Sequence, residues 1–233
     1  PTGRQIFPDN EYVLAIIAYL ALAPNQAASK RSLTRLLWGD QDPKEVSRNY
    51  TRRLQQTRRL LSRAEPGLLR TDAGSISLAS DRIDIDLHQI IEGIKFGRID
   101  QQLHDTIPFH TRILSSLQEV ASGTLLAWVE VTRHTLLSRL LSELEYSMQN
   151  FVDDGEIVRE AASALLAIDP THEHSCRILL RWHAESGNVP AAIRLYDKFS
   201  DHIRREFDAE PSPQTRELIE QLRSGSGQIG GEY

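Results

Sequence analysis

Residues 43–63 read PKEVSRNYTRRLQQTRRLLSR, and their periodicity decides the fold of the first part of the chain. At about 100° per residue, five side chains fall within one sector of about 80°, the width of a face that a helix buries. These side chains are Val46, Tyr50, Leu54, Thr57 and Leu61. Pro43 suits the first turn of a helix, and Glu65-Pro66-Gly67 interrupts one. The stretch therefore predicts a helix from Pro43 to about Arg63.

The opposite face of this helix is basic. Its candidate contact residues are Arg48, Thr51, Arg52, Gln55 and Arg59. One explanation is a solvated face stabilised by ion pairs, but no carboxylate occurs between Val46 and Ala64 to form them. Arginine can bind guanine edges or phosphate through two hydrogen bonds, and glutamine can bind adenine. The face therefore predicts an anionic partner, with the helix in the major groove of DNA.

Three further elements surround this helix in the sequence. Apolar residues at helical spacing predict a helix over Glu11–Ala23, and Ser29 is placed to cap a short helix over Lys30–Trp38. After the third helix, Leu68–Arg70 and Ser75–Leu78 flank a turn and predict a β-hairpin. Three helices followed by a hairpin is the order of a winged helix-turn-helix, which we assign to residues 1–87.

The remainder of the chain is predicted to be mainly helical. Ile83–Leu87 alternates like a short strand, and a leucine-rich pattern around Leu125–Leu144 indicates one long helix or two coupled helices. From Leu179 to Tyr196, apolar and small residues flank Gly187 in a tetratricopeptide-like pattern, after a preceding unit that matches it poorly. We predict a tetratricopeptide-like all-α domain over 88–223, with a plain helical bundle as the alternative, and a flexible tail over 224–233.

The charge is divided between these two parts. The 233 residues carry a net charge of −5, but residues 30–70 hold 11 of the 27 Lys and Arg and 4 of the 32 Asp and Glu. The net charge of that window is +7, and the net charge of the rest of the chain is −12. Because a local field steers an oppositely charged ligand whatever the total charge, the two parts are expected to have different partners.

Composition and motifs argue against several classes of protein. No window approaches about 18 consecutive apolar residues, so no membrane span is expected. The single cysteine, Cys176, rules out an internal disulfide and favours a reducing, cytoplasmic location. His172-Glu173-His174 lacks a third metal ligand and is interpreted as a helix cap or as solvated side chains, while His104, Asp105 and His110 lack a nucleophile. We therefore predict no catalytic residue, metal or cofactor.

Two groups of motifs resemble a known family of regulators. Ala18-Tyr19-Leu20-Ala21-Leu22-Ala23-Pro24 and Leu36-Leu37-Trp38-Gly39-Asp40 resemble the OmpR-type winged helix of the SARP regulators, the antibiotic regulatory proteins of actinomycetes. Leu165-Leu166-Ala167-Ile168-Asp169-Pro170 and Glu210-Pro211-Ser212-Pro213-Gln214-Thr215 resemble their bacterial transcriptional activation domain. The resemblance covers about residues 10–222.

The resemblance implies a DNA-binding transcription regulator whose helical half serves dimerisation or protein contacts. The third helix would be the recognition helix and the Arg70–Leu78 hairpin the wing, with Arg70 as a wing contact. We assign phosphate contacts around the second helix to Lys30, Arg31 and Arg35. The loop Gly39–Asp42 would contact RNA polymerase, and two copies would bind head to tail on duplex DNA.

The chain departs from the family pattern before its first helix. Members carry a sheet of several strands there, whereas only Gly3–Phe7 could supply one here, so that sheet is expected to be reduced or trimmed. The start, Pro1–Arg4, has no initiator methionine and no signal-peptide pattern, and we interpret the chain as a piece of a longer protein.

Two other functions stay open at this point. The winged helix could have lost DNA binding and serve as a protein-interaction scaffold for an acidic partner or for the chain's own acidic half. The chain could also be the regulatory front end of a larger signalling protein.

Overall fold

The computed structural model describes residues 10–39, 41–104, 113–117 and 123–225. The chain divides into two compact units, which we describe separately. The first comprises Pro1–His88 and Ile113–Leu136, and the second Gln89–Arg112 and Leu137–Tyr233. Residues 113–117 and 123–136 cluster with the first unit although they follow residue 88 in the chain. The assignment of domains to residues 1–87 and 88–223 stays a prediction.

The first unit begins with three helices. They are α1 (Glu11–Leu22), α2 (Lys30–Trp38) and α3 (Pro43–Ala64). The carboxamide of Asn10 accepts a hydrogen bond at the start of α1, and the hydroxyl of Ser29 accepts one from the backbone N–H of Ser32 at the start of α2. The three predicted helices are confirmed, with α3 one residue longer than expected. The strand proposed over Gly3–Phe7 lies outside the described residues.

A three-stranded antiparallel sheet completes the winged helix. Its strands are β1 (Ala27–Ser29), β2 (Leu69–Thr71) and β3 (Ser75–Leu78), in the order β1-β3-β2. Leu69 pairs with Leu78 in the predicted hairpin, and Ala28 pairs with Ile76 on the other edge of β3. The sequence interpretation missed β1, because three residues carry too little alternation to indicate a strand without a partner.

The core of the first unit contains residues from both of its segments. Ile16, Leu20, Leu33 and Ile76 are buried there from the helices and the sheet. Leu117, Leu125 and Val129 from the later segment are buried in the same cluster.

The strand predicted over Ile83–Leu87 is wrong. A short 3₁₀ turn occupies Ser80–Arg82, residues 83–85 have no regular structure, and helix α4 runs from Asp86 to Lys95. Leu87, Ile90, Ile91 and Ile94 are all buried. Their i, i+3, i+4, i+7 spacing is that of a buried helix face, so this longer pattern outweighs the short alternation before it.

The second unit is helical in its described residues. A single long helix, α5 (Gly123–Asn150), begins in the first unit and ends in the second. It is followed by α6 (Gly155–Ile168), α7 (Glu173–Glu185), α8 (Val189–Phe207) and α9 (Pro213–Arg223). Helices α7 and α8 pack against each other across the turn at Gly187, whose φ of +72° suits glycine. Leu180 and Ala192 are fully buried.

Candidate nucleic-acid interface

Helix α3 presents its two faces as the periodicity indicates. Tyr50 and Thr57 are buried, and Val46, Leu54 and Leu61 pack partly buried against the core. The five candidate contact residues of the opposite face are all exposed: Arg48, Thr51, Arg52, Gln55 and Arg59. We call this set the α3 polar face.

The arginines of the α3 polar face have no acidic partner in the part of the chain that the structure describes. The Thr51 hydroxyl donates to the carbonyl of Ser47 at 3.0 Å, so it is oriented by its own helix. Arg48 and Arg52, four residues apart, are of like charge, which costs about 0.2–0.5 kcal/mol in an isolated helix. The face therefore consists of cationic and polar groups that are free to bind an external anion.

Helix α2 adds a second group of cations to the same unit. Lys30, Arg31 and Arg35 are exposed. The Lys30 ammonium lies 5.0 Å from the centroid of the Tyr50 ring of α3, a cation–π contact. The backbone N–H of Lys30 donates to the carbonyl of Gly74 at 3.0 Å, which ties the tip of the hairpin to the first turn of α2.

The hairpin holds Arg70 in an ion pair that the sequence did not predict. Nη2 of Arg70 lies 3.3 Å from Oδ1 of Asp81, and both side chains are more than half exposed. Such an exposed pair contributes about 0–1 kcal/mol, so a phosphate could replace the carboxylate at little cost. Arg58, to which the sequence gave no role, donates from Nη2 to the Thr71 hydroxyl at 2.7 Å and joins α3 to β2. Both partners lie too far along the chain for any local periodicity to reveal them.

Arg53 differs from the arginines of the α3 polar face. It is half-buried, its guanidinium lies 5.2 Å from the centroid of the Tyr12 ring, and it donates to Oε1 of Gln56 at 3.0 Å. Tyr12 in turn stacks on Trp38, with the ring centroids 5.7 Å apart. Arg53 is therefore part of the packing between α1 and α3.

The loop assigned to RNA polymerase is described only in part. Gly39 ends α2 with a φ of +58°, and Asp40 lies outside the described residues. The Asp42 carboxylate caps α3, accepting from the backbone N–H groups of Lys44 at 2.8 Å and Glu45 at 3.2 Å. Asp42 thus has a structural role in this loop.

The histidine motif is a helix cap, as predicted. Nδ1 of His172 accepts from the backbone N–H of Ser175 at 3.2 Å at the start of α7, and Nε2 lies 3.2 Å from Glu145. Burial, followed by the nearby cation Arg177, lowers the pKa of His174. Asp105 and His110, from the other histidine motif, lie outside the described residues.

Cys176 is buried, and burial raises the pKa of its thiol to about 12. The thiol is therefore protonated at neutral pH and packs as a small apolar group. Across residues 10–39, 41–104, 113–117 and 123–225, no three His, Cys, Asp or Glu side chains are grouped so as to hold a metal ion. Over the same ranges, the helices are too short or too polar to cross a membrane.

Comparison with known proteins supports the sequence resemblance. Residues 115–223 match the family model described as the bacterial transcriptional activator domain. The fold is similar to Mycobacterium tuberculosis EmbR, solved in complex with a low affinity phosphopeptide, with a TM-score of 0.53 and 16% identity. The likeness covers 96% of this chain and 62% of that chain. No curated protein matches the sequence. Residues 115–223 thus resemble the bacterial transcriptional activator domain, and together with the likeness in fold this match supports the resemblance to the SARP-type transcription regulators.

Proposed function

We propose that the first unit binds duplex DNA in a sequence-specific manner, with α3 in the major groove. Base and phosphate contacts would come from Arg48, Arg52, Gln55 and Arg59, with Thr51 beside them. Lys30, Arg31 and Arg35 would bind phosphates around α2, and Arg70 would leave Asp81 for a phosphate at the wing. The observation that carries this proposal is the α3 polar face, whose three arginines are exposed and have no acidic partner among the described residues.

The electrostatics of the chain agree with this proposal. The excess of seven positive charges over residues 30–70 lies in a chain whose net charge is −5. Binding to DNA is driven in large part by the release of counterions from phosphates, which depends on the local cations and not on the total charge. The acidic remainder is therefore no obstacle to a DNA partner.

The bacterial transcriptional activator domain would supply protein contacts. We assign it dimerisation or contact with another protein, and we assign the Gly39–Asp42 loop a contact with RNA polymerase. A cytoplasmic location follows from the proposal, since bacterial DNA lies there.

The test is a mobility-shift titration with duplexes selected from a random pool. If four to six cations reach phosphates, the logarithm of the affinity should fall against the logarithm of the salt concentration with a slope of about −4 to −5. Replacing Arg48, Arg52 and Arg59 together by alanine should weaken binding by about two orders of magnitude or more, at about 1–3 kcal/mol for each lost contact. An exposed arginine of the second unit, Arg216, is the matched control, and its replacement by alanine should leave the shift unchanged.

A protein-interaction scaffold would give a different result. It would retard no duplex even at low salt, and selection from the pool would recover no motif. That outcome would disprove the proposed DNA binding.

A further inference from the structure

Two adjoining cavities lie among helices α6, α7 and α8 of the second unit. The larger has a volume of about 420 Å³ and the smaller about 170 Å³. Leu166 of α6 and Leu195 of α8 line both, so the two cavities lie side by side. We call the two cavities together the α6–α8 groove.

Apolar, cationic and neutral polar side chains line the α6–α8 groove, and no Asp or Glu is among them. Leu179 and Phe199 extend the apolar lining beside the two shared leucines, and Lys198 and Arg205 of α8 supply positive charge. Over residues 137–225 the chain has 16 acidic and 10 basic residues. The charged side chains that line the groove are therefore positive, whereas residues 137–225 as a whole carry a net negative charge.

The cations on α8 are available to a ligand. Lys198 and Arg205 are exposed, and neither has a carboxylate partner in the described part of the chain. Arg205 only donates from Nε to the backbone carbonyl of Asp201 at 3.0 Å. Arg159, by contrast, is paired with Glu156 and Glu160 and contributes little free charge.

The larger cavity also contains an aromatic and a polar group. Trp182 lines it beside the Arg159 guanidinium, which lies 5.1 Å from the centroid of the indole. Burial, followed by the charges of Arg194 and Arg159, lowers the pKa of His183. Nδ1 of His183 is buried without a hydrogen bond to any described residue.

We propose that the α6–α8 groove binds an acidic amphipathic peptide segment of another protein. Large aliphatic or aromatic side chains of the segment would enter the two cavities, and its carboxylates would lie against Lys198 and Arg205. Apolar anchors in a groove with complementary charges at its edge are the general means by which a helical peptide is recognised. Because the cations are exposed while the apolar side chains line the cavities, a peptide with separate acidic and apolar positions fits both.

The test uses three fluorescein-labelled peptides of about three helical turns, roughly 11 residues. The first has leucine or phenylalanine at i, i+3, i+4 and i+7 and glutamate elsewhere. The second replaces glutamate by lysine, and the third replaces the apolar residues by serine. By fluorescence anisotropy with the full chain, the first peptide should bind about tenfold or more tightly than the other two. Equal affinity for the acidic and basic peptides would disprove the proposal.

A set of variants locates the binding site. The double variant Lys198→Glu with Arg205→Glu should weaken binding of the acidic peptide by about tenfold or more. Arg216→Glu, an exposed charge reversal that lines neither cavity, should leave the affinity unchanged. Thermal unfolding of each variant checks that the fold is retained.

The α3 polar face is also basic and needs its own control. The variant with Arg48, Arg52 and Arg59 replaced by alanine should lose DNA affinity and keep peptide affinity. If it loses the peptide while the groove variant retains it, the peptide binds the DNA interface and the proposed groove site is wrong. If the groove variant instead changes only self-association in sedimentation velocity, the groove is an interface between copies and the proposal also fails.

Discussion

Arg52 and Arg53 are adjacent in sequence but have different surroundings. Arg52 is exposed and has no acidic partner among the residues that the structure describes, whereas Arg53 is half-buried, with its guanidinium over the Tyr12 ring. Arginine is therefore a surface residue at position 52 and part of the packing between α1 and α3 at position 53. Which role each takes follows from its angle relative to the buried sector of α3.

We expect alanine at these two positions to separate DNA affinity from stability. Arg52→Ala should lower affinity for a selected duplex about tenfold and change the free energy of unfolding by less than about 0.5 kcal/mol. Arg53→Ala should lower the free energy of unfolding by about 1 kcal/mol, through loss of the cation–π contact and of the packed alkyl chain. Urea denaturation and duplex titration of both variants measure the two effects. A larger loss of affinity in Arg53→Ala than in Arg52→Ala would reverse the assigned roles.

Glu173 explains the Glu-Pro-Ser-Pro-Gln-Thr motif at the start of α9. Its carboxylate accepts from the hydroxyl and backbone N–H of Ser212, from the Thr215 hydroxyl at 2.7 Å, and from Arg177. Burial opposes ionisation of Glu173, but these hydrogen bonds and the charge of Arg177 outweigh it, so the pKa of Glu173 is lowered. The motif thus joins the start of α7 to the start of α9.

The lowered pKa of Glu173 predicts a pH-dependent contribution to stability. A carboxyl whose pKa is lower in the folded state stabilises the protein above its unfolded-state pKa, about 4.3, and loses this contribution as the pH falls through the folded-state pKa. Glu173→Gln should therefore lower the free energy of unfolding by about 1–2 kcal/mol at pH 7, since charge-assisted hydrogen bonds are lost. We expect urea denaturation from pH 7 to about pH 3 to measure the free energy of unfolding of both proteins. The difference between the two free energies should become smaller once the pH falls below the range in which a glutamate titrates. A difference that is constant with pH would refute this origin.

At the scale of the element, α3 depends on its first turn. Asp42 accepts from two backbone N–H groups there, and Pro43 occupies the first helical position. The basic residues that follow lack carboxylates to stabilise the helix through ion pairs, so the cap and the buried face must hold it.

We expect Asp42→Ala to lower the free energy of unfolding by about 1 kcal/mol, because two N–H groups lose their acceptor. Asp42→Asn keeps a capping oxygen and should be nearly as stable as the original protein. Thermal unfolding followed by circular dichroism measures both. Equal losses in the two variants would show that the negative charge, and not the cap, is what matters.

At the scale of the whole molecule, the start of α5 belongs to the core of the first unit. Val129 is fully buried in that core, whereas Val131, on the same helix, is 67% exposed. The ring of Trp128 lies against that of Tyr19 of α1, with centroids 5.3 Å apart. The family match begins at residue 115, so the matched segment and the first unit share residues 115–136.

The two valines provide a matched test of this sharing. Val129→Ala should lower the free energy of unfolding by about 1–3 kcal/mol, because it leaves a cavity in the winged-helix core. Val131→Ala should change it by less than about 0.5 kcal/mol. Hydrogen exchange should place the loss of protection in Val129→Ala within α1 and α3. A loss confined to α6–α9 would contradict the assignment of this segment to the first unit.

Local signals in the sequence suffice to predict α1, α2, α3, the hairpin and the polar face of α3. These features depend on interactions within a few residues: a capping side chain such as Ser29, a proline in the first turn, and apolar residues repeating along one helix. Each of these signals lies within a short stretch of sequence, so no distant residue is needed to recognise it.

Features that need a distant partner are visible only in the folded chain. Strand β1 forms because Ala28 pairs with Ile76 of β3. Arg70 forms an ion pair with Asp81, which follows the hairpin in the chain. Residues 113–117 and 123–136 pack with the first unit because Leu117, Leu125 and Val129 are buried in its core. Packing between residues far apart in sequence leaves no periodic signal in the chain, so it could not be predicted from the sequence.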